Sequence, residues 1–224
     1  IDTTDIQVLK TTNTGGAWTS VATLALGTAT IGGFVAWKDP FTAGMPAIPV
    51  LILGNGIYKV NDSGSSIDLI LSLNEVKTDG NWFTGSGATV GSDGKLYVPV
   101  DGGDILCIDA PSQGTITVSN CGPGTHGNGE EAEGPVAIRT GNANRIHGGN
   151  SRWLIVAYGG DGTNQQGSVF AMDYESKAWH SLYLDATANR TLFDAYLSAR
   201  DDNVMRLRFV SEGAASSVCG QLEN

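Results

Sequence analysis

Three stretches of the chain repeat one plan. "PVLILGNGIYKVNDSGSSIDLIL" (Pro49–Leu71), "KLYVPVDGGDILCIDAPSQG" (Lys95–Gly114) and a longer copy from "WLIVAYGG" (Trp153–Gly160) through "GSVFAMDYESKAWHSLYL" (Gly167–Leu184) share it. Each begins with a short apolar strand and meets a glycine turn. A second strand then ends on Asp or Asn, and a polar bend follows. Two weaker copies flank them, Asp5–Leu24 and Asn203–Leu222. Aligning Ile6, Leu51, Leu96, Leu154 and Met205 gives spacings of 45, 45, 58 and 51 residues. Glycine accounts for 31 of 224 residues, roughly twice the usual share. These glycines are dispersed beside Asn, Asp and Ser, as tight turns between many short strands require.

A recurring unit of roughly 40–50 residues built from short strands is the signature of propeller blades. One blade cannot cover both of its faces; radial stacking covers them and leaves short, protected edges. The expected fold is therefore all-β. Residues 1–224 form a single β-propeller-like domain of four to five blades, or part of a larger propeller. A β-sandwich or jelly roll is the alternative. Gly32–Asp39 and Gly134–Thr140 read as strands feeding the next unit, and Ala88–Lys95 as the turn of a hairpin. Thr191–Arg200 is the best helix candidate, but its Thr, Phe and Tyr suit a strand as well. Little helix is expected.

Charge removes some functions. The net charge is −10 with 13 Lys and Arg and no basic run, so no nucleic acid is expected to bind through a basic patch. No apolar stretch approaches the roughly 18 residues of a membrane-spanning helix. The chain begins at Ile1 and shows no signal peptide, as in a processed chain or part of a longer one. Cys107, Cys121 and Cys219 form no C-x-x-C pair. A Cys107–Cys121 disulfide would close a loop, but buried or free thiols are the favoured reading.

The strand-and-bend pieces "GSVFAMDYESKAW" and "GDILCIDAPSQG" resemble quinoprotein-type and kelch-like blades. "TTNTGGAW" is similar to a degenerate Asp-box of sialidase-like propellers, with Thr11, Asn13, Gly15 and Trp18 in register and Asn13 where that family has Asp. The resemblance implies a structural hairpin, its Trp18 packed between strands. The bend after Asp173, with Tyr174, Trp179 and His180, also resembles propellers of bacteriophage tail and nozzle proteins, which serve as rigid rings or platforms. That resemblance is analogy of fold.

Sialidase-like enzymes gather arginines around a substrate carboxylate. Here Arg139, Arg145, Arg152, Arg190, Arg200, Arg206 and Arg208 match no position of that family and read as surface or structural groups. The segment 124–134 carries His126, Glu130, Glu131 and Glu133 without the spacing of a calcium loop, so it reads first as a solvated loop able to recognise a partner. His147 and His180 are acid–base candidates with no nucleophile motif beside them. Trp82 and Phe83, in a glycine-rich polar setting, are candidates to stack on sugar rings, although burial is the commoner fate; Trp37, Trp153 and Trp179 read as core.

The expected function is a non-enzymatic structural or binding module of a virion, such as a tail or nozzle protein, or of a secreted surface protein. Its location is the virion or the extracellular space. Its partners are neighbouring subunits, copies of itself included, or surface glycans; no cofactor or metal is expected. A sialidase-like glycan hydrolase and a lectin-like binder are the alternatives.

Overall fold

In the computed structural model the described residues are 5–11, 16–25, 31–39, 47–61, 65–72, 88–99, 105–112, 114–122, 143–147, 152–158, 166–188, 192–199, 205–211 and 219–222. They form seventeen strands and, among them, no helix. The chain is all-β.

The strands group into five antiparallel sheets in chain order. The first is the hairpin β1 (Asp5–Lys10) and β2 (Thr19–Ala25). The second is β3 (Ile31–Trp37), β4 (Ile48–Leu53), β5 (Gly56–Asn61) and β6 (Ser66–Ser72). The third is β7 (Thr89–Val90), β8 (Leu96–Pro99), β9 (Ile105–Ser112) and β10 (Thr115–Asn120). The fourth is β11 (Ala143–His147), β12 (Trp153–Tyr158), β13 (Gln166–Asp173) and β14 (Trp179–Ala188). The last is β15 (Leu192–Ala199), β16 (Met205–Ser211) and β17 (Cys219–Leu222). Within every sheet each strand pairs with its neighbour in sequence. Of the aligned positions, Leu51, Leu96, Leu154 and Met205 fall in the second strand of their sheets, whereas Ile6 falls in the first strand of its hairpin. Thr191–Arg200, the helix candidate, contains strand β15. The strand, with Phe193 and Tyr196 among its residues, pairs with β16 from Leu192↔Ser211 to Ala199↔Met205.

Period-2 alternation assigns the side chains to cores. Leu96 and Val98 of β8 and Leu106 and Ile108 of β9 join Trp37, Val50, Ile52 and Ile57 between the second and third sheets. The intervening Tyr97, Ile105 and Cys107 point the other way and meet Leu154, Val156 and Met172 of the fourth sheet. Ile155, Ala157, Val169 and Ala171 then face Ala195 and Leu207 of the last sheet. The three central sheets are thus threaded through one continuous series of cores. Full burial of a Leu, Ile or Val contributes about 1.5–3 kcal/mol, so these layers carry most of the stability.

The cysteines depart from the favoured expectation. Cys107 in β9 and Cys121, just past β10, are joined by a disulfide, with Cα atoms 5.9 Å apart. The cause is the β9–β10 hairpin, whose register pairs Leu106 with Asn120 and brings the two residues side by side. The bond closes a loop across 14 positions. Replacing both cysteines by alanine is expected to cost about 3 kcal/mol on the chain-entropy account, read as a lower midpoint in urea unfolding. An unchanged midpoint would show that the hairpin needs no covalent tie.

Candidate functional site

Antiparallel meanders send the turns between first and second strands, and between third and fourth strands, to the same end of each sheet. Asp93, Asp109 and Asp173, the carboxylates that hold cations across or beside the seams, lie at that end. At its centre is the turn from β7 to β8, Gly91–Lys95. Gly94 takes φ +77 and its N–H donates to Gly91 O at 2.9 Å. Gly91 is required for a different reason: a Cβ there would lie 2.7 Å from both Tyr97 and Tyr174 rings.

Asp93 is the acceptor of this cluster. Its Oδ2 receives the Tyr97 hydroxyl at 2.7 Å and Lys177 Nζ at 2.9 Å, and its Oδ1 receives the Lys95 amide at 3.2 Å. Lys177 comes from the fourth sheet, so the bond crosses the seam between sheets. Burial opposes the Asp93 charge, but the bonds from Tyr97 and Lys177 outweigh it and hold the carboxyl below its ordinary range. Burial raises the Tyr97 hydroxyl, and donation to Asp93 raises it further. Tyr174 is raised by burial and by the Asp93 charge. The two rings lie 6.0 Å apart, tilted by 58°. Both phenols therefore stay protonated at neutral pH and Asp93 stays ionised.

Asp173 organises the matching turn from β13 to β14. Its Oδ1 accepts the amides of Glu175 and Ser176, and its Oδ2 accepts Arg152 Nε at 2.9 Å. This is an Asx turn. The Arg152 bond, joined by the two amides, pulls its pKa down to about 2. Lys177 closes the turn at φ 59, an uncommon conformation for a non-glycine residue. Arg152 also stacks over Trp153 at 4.7 Å, and His180 meets the same ring edge-on at 5.4 Å.

A second seam joins the second and third sheets. Trp37 Nε1 donates to Gly94 O at 3.1 Å. Lys38 reaches Asp109 at 2.6 Å, with Lys95 on the other carboxylate oxygen at 3.7 Å. The Lys38 bond is the main cause of the lowered Asp109 pKa. Trp179 Nε1 donates to Cys121 O at 2.9 Å, tying β14 to the disulfide. Ion pairs as exposed as these contribute about 0–1 kcal/mol each. The apolar layers supply the adhesion, and the polar bonds align the sheets end to end. Chemically the arrangement positions groups; its carboxylates are already engaged by cations and amides.

The residues expected from sequence distribute unevenly. Trp37 is core at 1% exposure, whereas Trp153 and Trp179 are half-buried at the rims of their clusters. Trp18 departs from the Asp-box expectation: it is 65% exposed, with no described strand layered over it. Thr11 follows β1 and is half-buried, while Asn13 and Gly15 lie outside the described residues. So do Trp82, Phe83, His126, Glu130, Glu131, Glu133 and Arg139. His147 ends β11 opposite Ile155, with its side chain outside the description. Sequence reasoning missed Asp93, Tyr97 and Lys177 as a set. The signals were present separately, a Ser-Asp-Gly turn and an Asp-Tyr bend, but nothing local states that they meet. Among the described residues no three His, Cys, Asp or Glu group as metal ligands. Comparison of the chain with protein-family models and with curated proteins finds no match.

Two outcomes follow from this geometry. Gly91→Ala must displace two buried rings and is expected to cost about 1–3 kcal/mol, measured by urea unfolding; a neutral result would mean the rings are not packed on the turn. Asp173 is a depressed carboxylate, so its stabilisation is complete above the unfolded pKa near 4 and is lost as pH falls through about 2. The difference in Tm between the protein and Asp173→Asn should therefore shrink as pH is lowered from about 4 to about 2. A constant gap would remove the charge from the explanation.

Proposed function

We propose that the chain is a β-propeller whose five sheets are blades, and that it is a non-enzymatic scaffold in a larger assembly, a virion tail or nozzle component or a secreted surface protein. The observation that carries the radial reading is where consecutive sheets touch. β3 lies against β7 and β8, β8 against β11, and β11, β12 and β13 against β15. The first hairpin meets the second sheet through β2 and the last strand β6, while each of the three later seams involves a first strand; close approach through first strands, in chain order, supports blades converging on an axis. A β-sandwich would instead interleave strands from distant parts of the chain between two sheets.

The scaffold role rests on how the polar groups are used. Asp93, Asp109 and Asp173 each hold a cation, and the first two do so across a seam between sheets. Such a platform presents its connections to neighbouring subunits or to surface glycans. In the sequence, Trp82 and Phe83 come between β6 and β7, and the acidic segment 124–134 between β10 and β11. They are the contact residues of this proposal.

The test is the mass of the native species, isolated from its source and sized by light scattering. Recovery in a particle of megadalton scale is the expected result. Recovery only as a monomer or small oligomer would overturn the assembly reading and direct attention to glycan binding and hydrolysis.

A further inference from the structure

The disulfide lies where the pairing of its hairpin ends. The β9–β10 ladder runs from Thr115↔Ser112 to Asn120↔Leu106. Cys121 follows the last of these pairs, and its N–H donates to Ile105 O at 2.8 Å. Gly122 N–H then donates to Asn120 Oδ1 at 3.0 Å. The ladder already joins the two strands, so the Cys107–Cys121 bond adds its constraint at the exit from β10.

The residue held there has a second task. Its carbonyl accepts the Trp179 indole N–H, at 2.9 Å, from the fourth sheet. Cys107 is buried in the core between the third and fourth sheets, with Tyr97, Leu154 and Met172, while Cys121, Phe170 and Trp179 are half-buried on its border. One covalent bond thus runs from the interior of this core to its rim. It ends on the residue that receives the neighbouring sheet's tryptophan.

We propose that the Cys107–Cys121 pair is a redox lock on the seam between the third and fourth sheets. Bonded, it fixes the acceptor for Trp179 and shuts the rim. As two thiols, it leaves the ladder and the core standing and lets the rim open. Exchange with a small thiol sets the state. In opening, the thiolate of the small thiol attacks the sulfur of Cys121, the more exposed of the two residues. Cys107 leaves as a thiolate and takes up a proton. A second small thiol attacks the small-molecule sulfur of the mixed disulfide and releases Cys121. Two small thiols become one small disulfide, and two electrons and two protons pass to the protein. Closing is the reverse. Disulfides persist in oxidising compartments and are kept reduced elsewhere. A chain made in a reducing compartment therefore folds with this rim unlocked and is locked on reaching an oxidising one. The inference uses β9, β10 and β14 alone, and stands whether or not the chain is a scaffold in an assembly.

The experiment titrates the purified, oxidised chain with glutathione and its disulfide in native buffer. Alkylation and mass spectrometry count the thiols, and hydrogen exchange by NMR reads the Trp179 indole N–H. The reference is the Trp37 indole, which donates to Gly94 O across the other seam. Reduction of the folded chain is expected to yield two further thiols. It should speed Trp179 exchange about two- to tenfold relative to Trp37, as loss of one net hydrogen bond predicts. Reoxidation should restore protection. A chain with both Cys107→Ser and Cys121→Ser should show the reduced rates at every glutathione ratio. Far-UV circular dichroism checks that the strands are kept. Three results would overturn the proposal: a pair that opens only after urea has unfolded the chain, a reduced chain that loses its strand signal, or a Trp179 rate that does not change relative to Trp37.

Discussion

The structure depends on burying both faces of an antiparallel sheet. Antiparallel sheets commonly leave one face in water, and their strands then alternate. Here the third and fourth sheets sit between neighbours, so adjacent residues of one strand enter different cores. Leu96 and Val98 go one way and Tyr97 the other; Leu154 and Val156 separate likewise from Ile155 and Ala157. Such strands must be apolar at nearly every position. Remove one neighbouring sheet and half of each run would face solvent. The hairpin at the start of the chain shows the contrasting case, with the polar–apolar alternation of a strand covered on one side.

That requirement explains what could be read in advance. Runs such as "LIVA" and "ILCI" are apolar at every position, and the turn residues between them are Gly, Asn and Asp. Strand and turn were therefore legible, and four of the five aligned positions, Leu51, Leu96, Leu154 and Met205, fall in equivalent strands, with Ile6 the exception. The Asp-box likeness implied a packed Trp18, which is exposed, because a hairpin pattern states the turn and not whether a second layer covers the tryptophan. The disulfide was hidden for a related reason. Two cysteines at this spacing are bonded only if the hairpin register sets them side by side, and register is a property of the paired strands.

The seam residues were the least legible. Asp93 lies 84 positions from Lys177 and Trp37 lies 57 from Gly94. Each is ordinary in its own segment: a turn aspartate, a bend lysine, a strand-end tryptophan. Their roles exist only once the sheets are stacked. Energetically the two kinds of contact divide the work. Apolar layers slide readily along one another, since dispersion and area burial are nondirectional. Directional bonds at one end of the stack stop that sliding. Lys177 illustrates the balance: its backbone adopts a conformation that glycine would take more easily, yet only a long cationic side chain there reaches Asp93.

Stacking in chain order has a consequence for how the molecule comes into being. Every strongly contacting pair of sheets is consecutive in sequence. A ribosome delivering the chain from its N-terminus therefore releases each sheet just before the neighbour that covers it. The second sheet can collapse on the third while the fourth is still being made. What each growing intermediate does expose is the trailing face of its newest sheet, one apolar surface at a time. During synthesis, the hazard of premature association travels along the molecule as a moving front and is extinguished sheet by sheet.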